Sequence, residues 1–165
     1  MLDMFQVLEA FDKYKGSMER VGKAIGQYAE NTLLDLANFF ELTVFCFLTG
    51  NNDMHLKNFS LILGDNKTWG LSPAYDLLNV AIVNPDDTEE LALTVDGRKS
   101  KFDRARLSAF GHKLGLSGRQ VDGVFRRAFR NATLAGEWIS KSFLSAEYQE
   151  KYLVLLKERY DRLKE

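Results

Sequence analysis

The chain has 165 residues, of which 45% are hydrophobic and 12% aromatic; this excludes a disordered chain and fits one globular domain or one lobe of something larger. Its net charge of −1 gives no whole-chain case for nucleic-acid binding, so any such surface has to be a local patch. One cysteine, Cys46, excludes an intrachain disulfide and a cysteine-built metal site; among Phe45, Phe47 and Leu48 it reads as a buried, inert thiol.

In chain order, residues 2–15 read as a short lead-in helix or loop ending at Gly16. The opening Met1-Leu-Asp-Met-Phe has no basic region running into an apolar one, so a signal peptide is not expected. Ser17 is a candidate N-cap for a helix over 18–30, where Val21, Ala24, Ile25 and Tyr28 form an i, i+3, i+4, i+7 stripe. The next helix, 32–49, is apolar nearly all round, the pattern of a central element packed on several sides. The run Leu33 to Gly50 is long enough to raise a membrane question. Asp35, Asn38 and Glu41 argue against a span, because carboxylates are costly in hydrocarbon. The expectation is a buried helix in a soluble, cytoplasmic protein.

Gly50-Asn-Asn ends that helix and the character changes. Residues 59–63 read as a strand, 64–67 as a turn and 68–72 as the returning strand, which Pro73 terminates because it cannot donate to a ladder. Leu91-Ala-Leu-Thr-Val95 is a third candidate strand, with Asp96-Gly97 as its turn. The remainder is helical, over 103–114, 118–140 and 146–164. The expected fold is one domain over 1–165, mainly α with a small antiparallel β element.

Chemistry concentrates in Asn51-Asn-Asp-Met-His-Leu-Lys-Asn-Phe-Ser60 and Ser72-Pro-Ala-Tyr-Asp-Leu-Leu78. Phosphoryl transfer needs one carboxylate for the attacking hydroxyl and hard oxygen donors for a divalent ion. Asp53 and Asn58 reproduce the D-x-x-x-x-N spacing of a kinase catalytic loop. A five-residue strand travels roughly 16 Å and an equal return strand brings the chain back. The hairpin should therefore set Asp76 beside Asn58, where both could hold one metal, while Lys57 adds a positive charge for the moving phosphoryl group.

Four ordered blocks carry a family resemblance. Gly50-Asn-Asn-Asp-Met-His-Leu-Lys-Asn-Phe-Ser60 resembles the catalytic-loop signature of HipA-like serine/threonine kinases, and Pro73-Ala-Tyr-Asp-Leu-Leu78 resembles the block they carry in place of D-F-G. Lys13-Tyr-Lys-Gly-Ser17 and Leu91-Ala-Leu-Thr-Val-Asp-Gly-Arg-Lys99 resemble two further family segments. The resemblance implies the large, C-terminal lobe of a protein kinase, with Asp53 as catalytic base and Asn58 and Asp76 as ligands of Mg2+ and of the ATP it carries. His55 and Lys57 belong to the same loop. It further implies a toxin that phosphorylates serine on a protein target and is restrained by a HipB-like antitoxin.

A complete kinase also needs a phosphate-covering loop, a lysine for the nucleotide and a hinge. Only about a dozen residues precede the first block, and Gly16, Gly22 and Gly26 lie on or beside a helix. The expectation is therefore a lobe without its ATP-gripping partner, weak in ATP binding, inactive alone and completed by a separate N-lobe. An apolar upper face with some tendency to self-associate is expected as well.

Competing readings are a catalytically silent binding or regulatory module, and a zinc- or manganese-dependent hydrolase using Asp53, His55 and Asp76. Asp53 and Asn58 could merely cap a turn, Asp76 could N-cap a short helix over 77–81, and His55 reads as an orienting or core-satisfied side chain. The basic clusters Arg98-Lys-Ser-Lys101 with Arg104 and Arg106, and Arg126, Arg127 and Arg130, read as solvated faces balanced by nearby acids.

Overall fold

The computed structural model describes residues 1–164 and is helical with a small sheet. Its centre is α3 (Thr32–Thr49), which packs against α2 (Met18–Tyr28), α4 (Arg104–Lys113), α5 (Gly118–Arg130) and α7 (Ala146–Arg162). Phe39, Phe40, Cys46 and Phe47 of α3 are fully buried, each phenylalanine contributing about 1.5–3 kcal/mol of apolar transfer. Burial also pushes the Cys46 thiol up to about 12, as fits an inert packing residue. α3 is long and apolar enough to cross a membrane, yet half of it is covered by its own domain. Its carboxylate Glu41 is engaged as well, accepting from Arg127 Nε and Nη2 at 2.8 and 2.6 Å.

Gly50 closes α3 in the left-handed region, at φ 69°. A side chain there would be strained, and its Cβ would lie 3.1 Å from both Ala81 Cβ and Asn79 Oδ1. The turn after α3 is thus built tight around a position that favours glycine.

The sheet has order β1-β2-β3 and is antiparallel throughout. The expected hairpin is present as β2 (Ser60–Leu63) and β3 (Trp69–Leu71), with Leu61 opposite Leu71. Its outer neighbour β1 (Leu2–Asp3), with Leu2 opposite Leu61, and the one-turn helix α1 (Met4–Val7) occupy the expected lead-in segment. Ser17 caps α2 as expected, its side chain accepting from the Arg20 N–H.

Two expectations and one competing reading fail. Leu91–Val95 is not a strand: Leu91, Ala92, Leu93 and Val95 are buried, but the backbone makes only isolated bridges, Ser17 to Thr94 and Val95 to Arg98. The Asp96-Gly97 turn exists, with φ 51° and 71°, but no ladder extends from it. The helix expected over 118–140 breaks at Asn131 into α5 and α6 (Ala132–Ser140), letting α6 turn back onto α7. Residues 77–81, where a helix capped by Asp76 was the competing reading, are not helical, so Asp76 is not a helix cap.

Candidate active site

Two loops meet where α3 ends and the hairpin begins. The first leaves Gly50 and passes through a 3-10 turn, Leu56–Asn58, into β2; the second leaves β3 at Ser72 and runs through Asp76. Buried Asn58 joins them: its Nδ2 donates to the Asp53 carbonyl at 3.2 Å and to Asp76 Oδ2 at 2.8 Å. Asn58 therefore ties the backbone of Asp53 and the carboxylate of Asp76 together at one end of the hairpin.

Three further side chains hold the arrangement. Asn51, 1% exposed, donates from Nδ2 to the Asp76 carbonyl at 3.2 Å and accepts from the Asp53 N–H at 3.3 Å. Tyr75 donates to the Lys57 carbonyl at 2.8 Å and lies 2.5 Å from Ser60 Oγ. Tyr14, carried 39 positions earlier in the chain, donates its hydroxyl to Asp53 Oδ1 at 2.8 Å. None of these was a candidate in the sequence reading. All three sit inside the family-like blocks, so block membership was their available signal.

Asp76 itself has φ 56°, a left-handed conformation uncommon outside glycine but tolerated by aspartate. Asn51 and Asn58, gripping its carbonyl and carboxylate, over-determine that conformation.

His55 is buried beneath this cluster with its ring edge-on to Tyr14, centroids 5.1 Å apart. Burial first, then the Lys13 charge, hold its imidazole below the ordinary value, favouring the neutral form. Its Nδ1 makes no hydrogen bond, so it is a packed rather than a fully satisfied histidine. Lys57 is exposed, and its ammonium sits over the Phe5 ring at 4.9 Å instead of reaching the carboxylates.

Among the described residues, no three His, Cys, Asp or Glu side chains come together as a metal set. The hydrolase reading through Asp53, His55 and Asp76 therefore lacks its ligand cluster. Magnesium asks for less, one or two protein oxygens with water and phosphate completing the shell. Asn58 spends both amide hydrogens on Asp53 and Asp76 and keeps Oδ1 as a donor to a cation; Asp76 keeps Oδ1. That hard-oxygen pair fits such an ion.

The basic clusters are partly neutralised internally. Lys99 pairs with Glu89 at 3.0 Å, Arg104 with Asp122 at 2.9 Å, and Arg127 with Glu41 at 2.6 Å.

A helical body with a small hairpin at its site defines a kinase-like large lobe. A family model described as the HipA-like C-terminal domain matches residues 1–138, and the chain belongs to that family. It is 36% identical over 123 residues to the Sinorhizobium fredii protein named "Putative kinase Y4dM", covering 72% of this chain and 30% of that one. A Haemophilus influenzae protein named "Putative kinase" is 35% identical over 79 residues, covering 48% of this chain and 23% of its own length. The chain thus spans less than a third of these curated relatives. A chain of the Shewanella oneidensis MR-1 toxin–antitoxin complex of HipA, HipB and operator DNA shares the fold, with TM-score 0.83 at 22% identity. The match covers 99% of this chain and 43% of the other.

Proposed function

We propose that the chain is the catalytic lobe of a HipA-like serine/threonine protein kinase of toxin–antitoxin type, moving the ATP γ-phosphate to serine on a protein target. The observation that carries this reading is Asn58, whose one amide spans the Asp53 loop and the Asp76 carboxylate. In the reaction, the serine oxygen attacks the γ-phosphorus, the bond to the β-phosphate oxygen breaks, and Asp53 takes the serine proton. Asn58 and Asp76 would hold Mg2+, which would supply positive charge to neutralise the phosphates. Lys57 leaves the Phe5 ring when a phosphate draws its charge, and His55 supports the loop from below.

The phosphate-covering loop and nucleotide lysine come, in this proposal, from polypeptide outside the given sequence, whether contiguous or separate. The lobe by itself then binds ATP weakly and transfers phosphate poorly. A HipB-like antitoxin is the proposed restraining partner, and the cytoplasm the proposed compartment.

The test joins the chain to the N-terminal lobe of a HipA-like kinase and follows phosphate transfer from ATP with Mg2+. Asp53→Asn should lower the rate by about 10²–10⁴-fold, the usual weight of a general base. Transfer undiminished in D53N would refute the catalytic assignment. No transfer with any N-lobe, and no magnesium-dependent nucleotide binding, would favour the silent binding module.

A further inference from the structure

The catalytic reading leaves unexplained why Asp53 meets a tyrosine from the far end of the sequence. The Asp53 backbone is held on several sides. Its N–H donates to Asn51 Oδ1, and its carbonyl accepts from Asn58 Nδ2 and from the His55 N–H at 2.8 Å. Its carboxylate has one side-chain hydrogen bond among the described residues, from the Tyr14 hydroxyl to Oδ1 at 2.8 Å. The terminal torsion of an aspartate is broad, so backbone restraint alone does not fix the plane of its oxygens.

Tyr14 is itself well anchored. The Lys13 carbonyl accepts from the Leu56 N–H at 3.1 Å, tying its backbone to the middle of the catalytic loop. The Tyr14 N–H donates to Asp12 Oδ1 at 2.9 Å, and its ring meets His55 at 78° between planes. The Lys13 ammonium lies over the same ring, 4.8 Å from its centroid. The ring, 42% exposed but edge-on to His55, delivers its hydroxyl to one carboxylate oxygen and leaves the other.

We infer that Tyr14 is a positioning residue of the phosphoryl-transfer site, fixing the Asp53 carboxylate through Oδ1 so that Oδ2 is presented to the substrate hydroxyl. This rests on the proposed catalytic reading of Asp53 and extends it to a residue outside both loops. A small misplacement of a reacting group is expensive, up to about 10²-fold in rate.

Tyr14→Phe removes the hydroxyl while keeping the ring on His55. In the lobe reconstituted with a HipA-like N-lobe, with a randomised serine peptide pool as acceptor, Y14F should lower kcat about 10-fold. KM for ATP and peptide should stay within about twofold and the melting temperature should not move, which separates positioning from loss of structure. A kcat unchanged or raised in Y14F, while D53N is inactive, overturns this inference alone; a raised kcat would make the hydroxyl a brake on the base. A fall in kcat matched by a fall in melting temperature also overturns it. D53N retaining full activity overturns the catalytic reading and this inference together. A second measurement needs no turnover. In the isolated chain carrying ¹³C-labelled tyrosine, the Tyr14 Cζ resonance should shift in D53N, and an unmoved resonance overturns the contact on which the inference stands.

Discussion

The amide of Asn51 spans two loops, its nitrogen on the Asp76 carbonyl and its oxygen on the Asp53 N–H. Beneath that bridge lies His55, whose environment yields a pH prediction. Its folded-state value is lowered from the ordinary 6.5, so near and below that pH the unfolded chain binds more protons than the folded one. The stability it contributes is complete above about 6.5 and is lost as pH falls through the depressed folded value. Urea midpoints should therefore drop between pH 7.5 and 5.5, and His55→Gln should flatten that drop. An unchanged slope in H55Q would place the dependence elsewhere. Of the residues that build the site, Asp53, Asn58 and Asp76 were legible because spacing and hairpin geometry speak for them. The roles of Asn51 and Tyr14 were not, because block membership marks a residue but not the partner it meets 25 or 39 positions away.

Among the elements, the segment from Asp76 to α4 is tied at its far end by Glu90. This buried carboxylate accepts from the Phe102 N–H at 2.9 Å and from Arg162 Nη1 and Nη2 at 2.7 and 3.1 Å. Arg159 Nη1 is 3.3 Å away, an ion-pair distance without hydrogen-bond alignment, and both guanidinium groups lie over the Phe47 ring. Removing one member of a buried charge set strands the others, so Glu90→Ala should cost about 3–5 kcal/mol in urea unfolding. A cost under about 1 kcal/mol, the level of an exposed pair, would contradict this. The same stretch shows what sequence pattern leaves out. Burial of Leu91, Leu93 and Val95 was readable from their types, but a ladder needs a partner strand. Here the backbone instead meets Gly16 and Lys99, through Thr94 N–H to Gly16 O and Glu90 N–H to Lys99 O. β1 was hidden for the related reason that two residues carry no periodicity.

Across the whole molecule, exposed apolar side chains are scattered, from Phe11 to Trp138 and Phe143, and the hairpin and the site loop carry a share of them. Ile62 and Leu63 of β2 are 41% and 47% exposed, and Leu78 next to Asp76 is 61% exposed. Exposed apolar surface of this kind drives association in an isolated chain. The sedimentation coefficient of the lobe alone should rise with concentration, and the double change Ile62→Lys, Leu63→Lys should suppress the rise. A concentration-independent monomer would remove the hairpin from consideration. With the net charge at −1, electrostatic repulsion does little to oppose such association.

Gly50 terminates α3, yet its carbonyl also accepts from the Val80 and Ala81 N–H groups, each at 3.1 Å. The residue that caps the central helix therefore also fastens the strap beyond Asp76, a link through which the opening of one is expected to be felt by the other. Amide deuterium exchange should report this as one opening event, with Val80, Ala81 and the Gly50–Asn51 amides exchanging at a common free energy. Val80 and Ala81 exchanging freely while α3 stays protected would show two independent units. If the event is shared, the mobility of the site is governed from the core, so that a mutation deep in α3 loosens Asp76 as surely as one beside it.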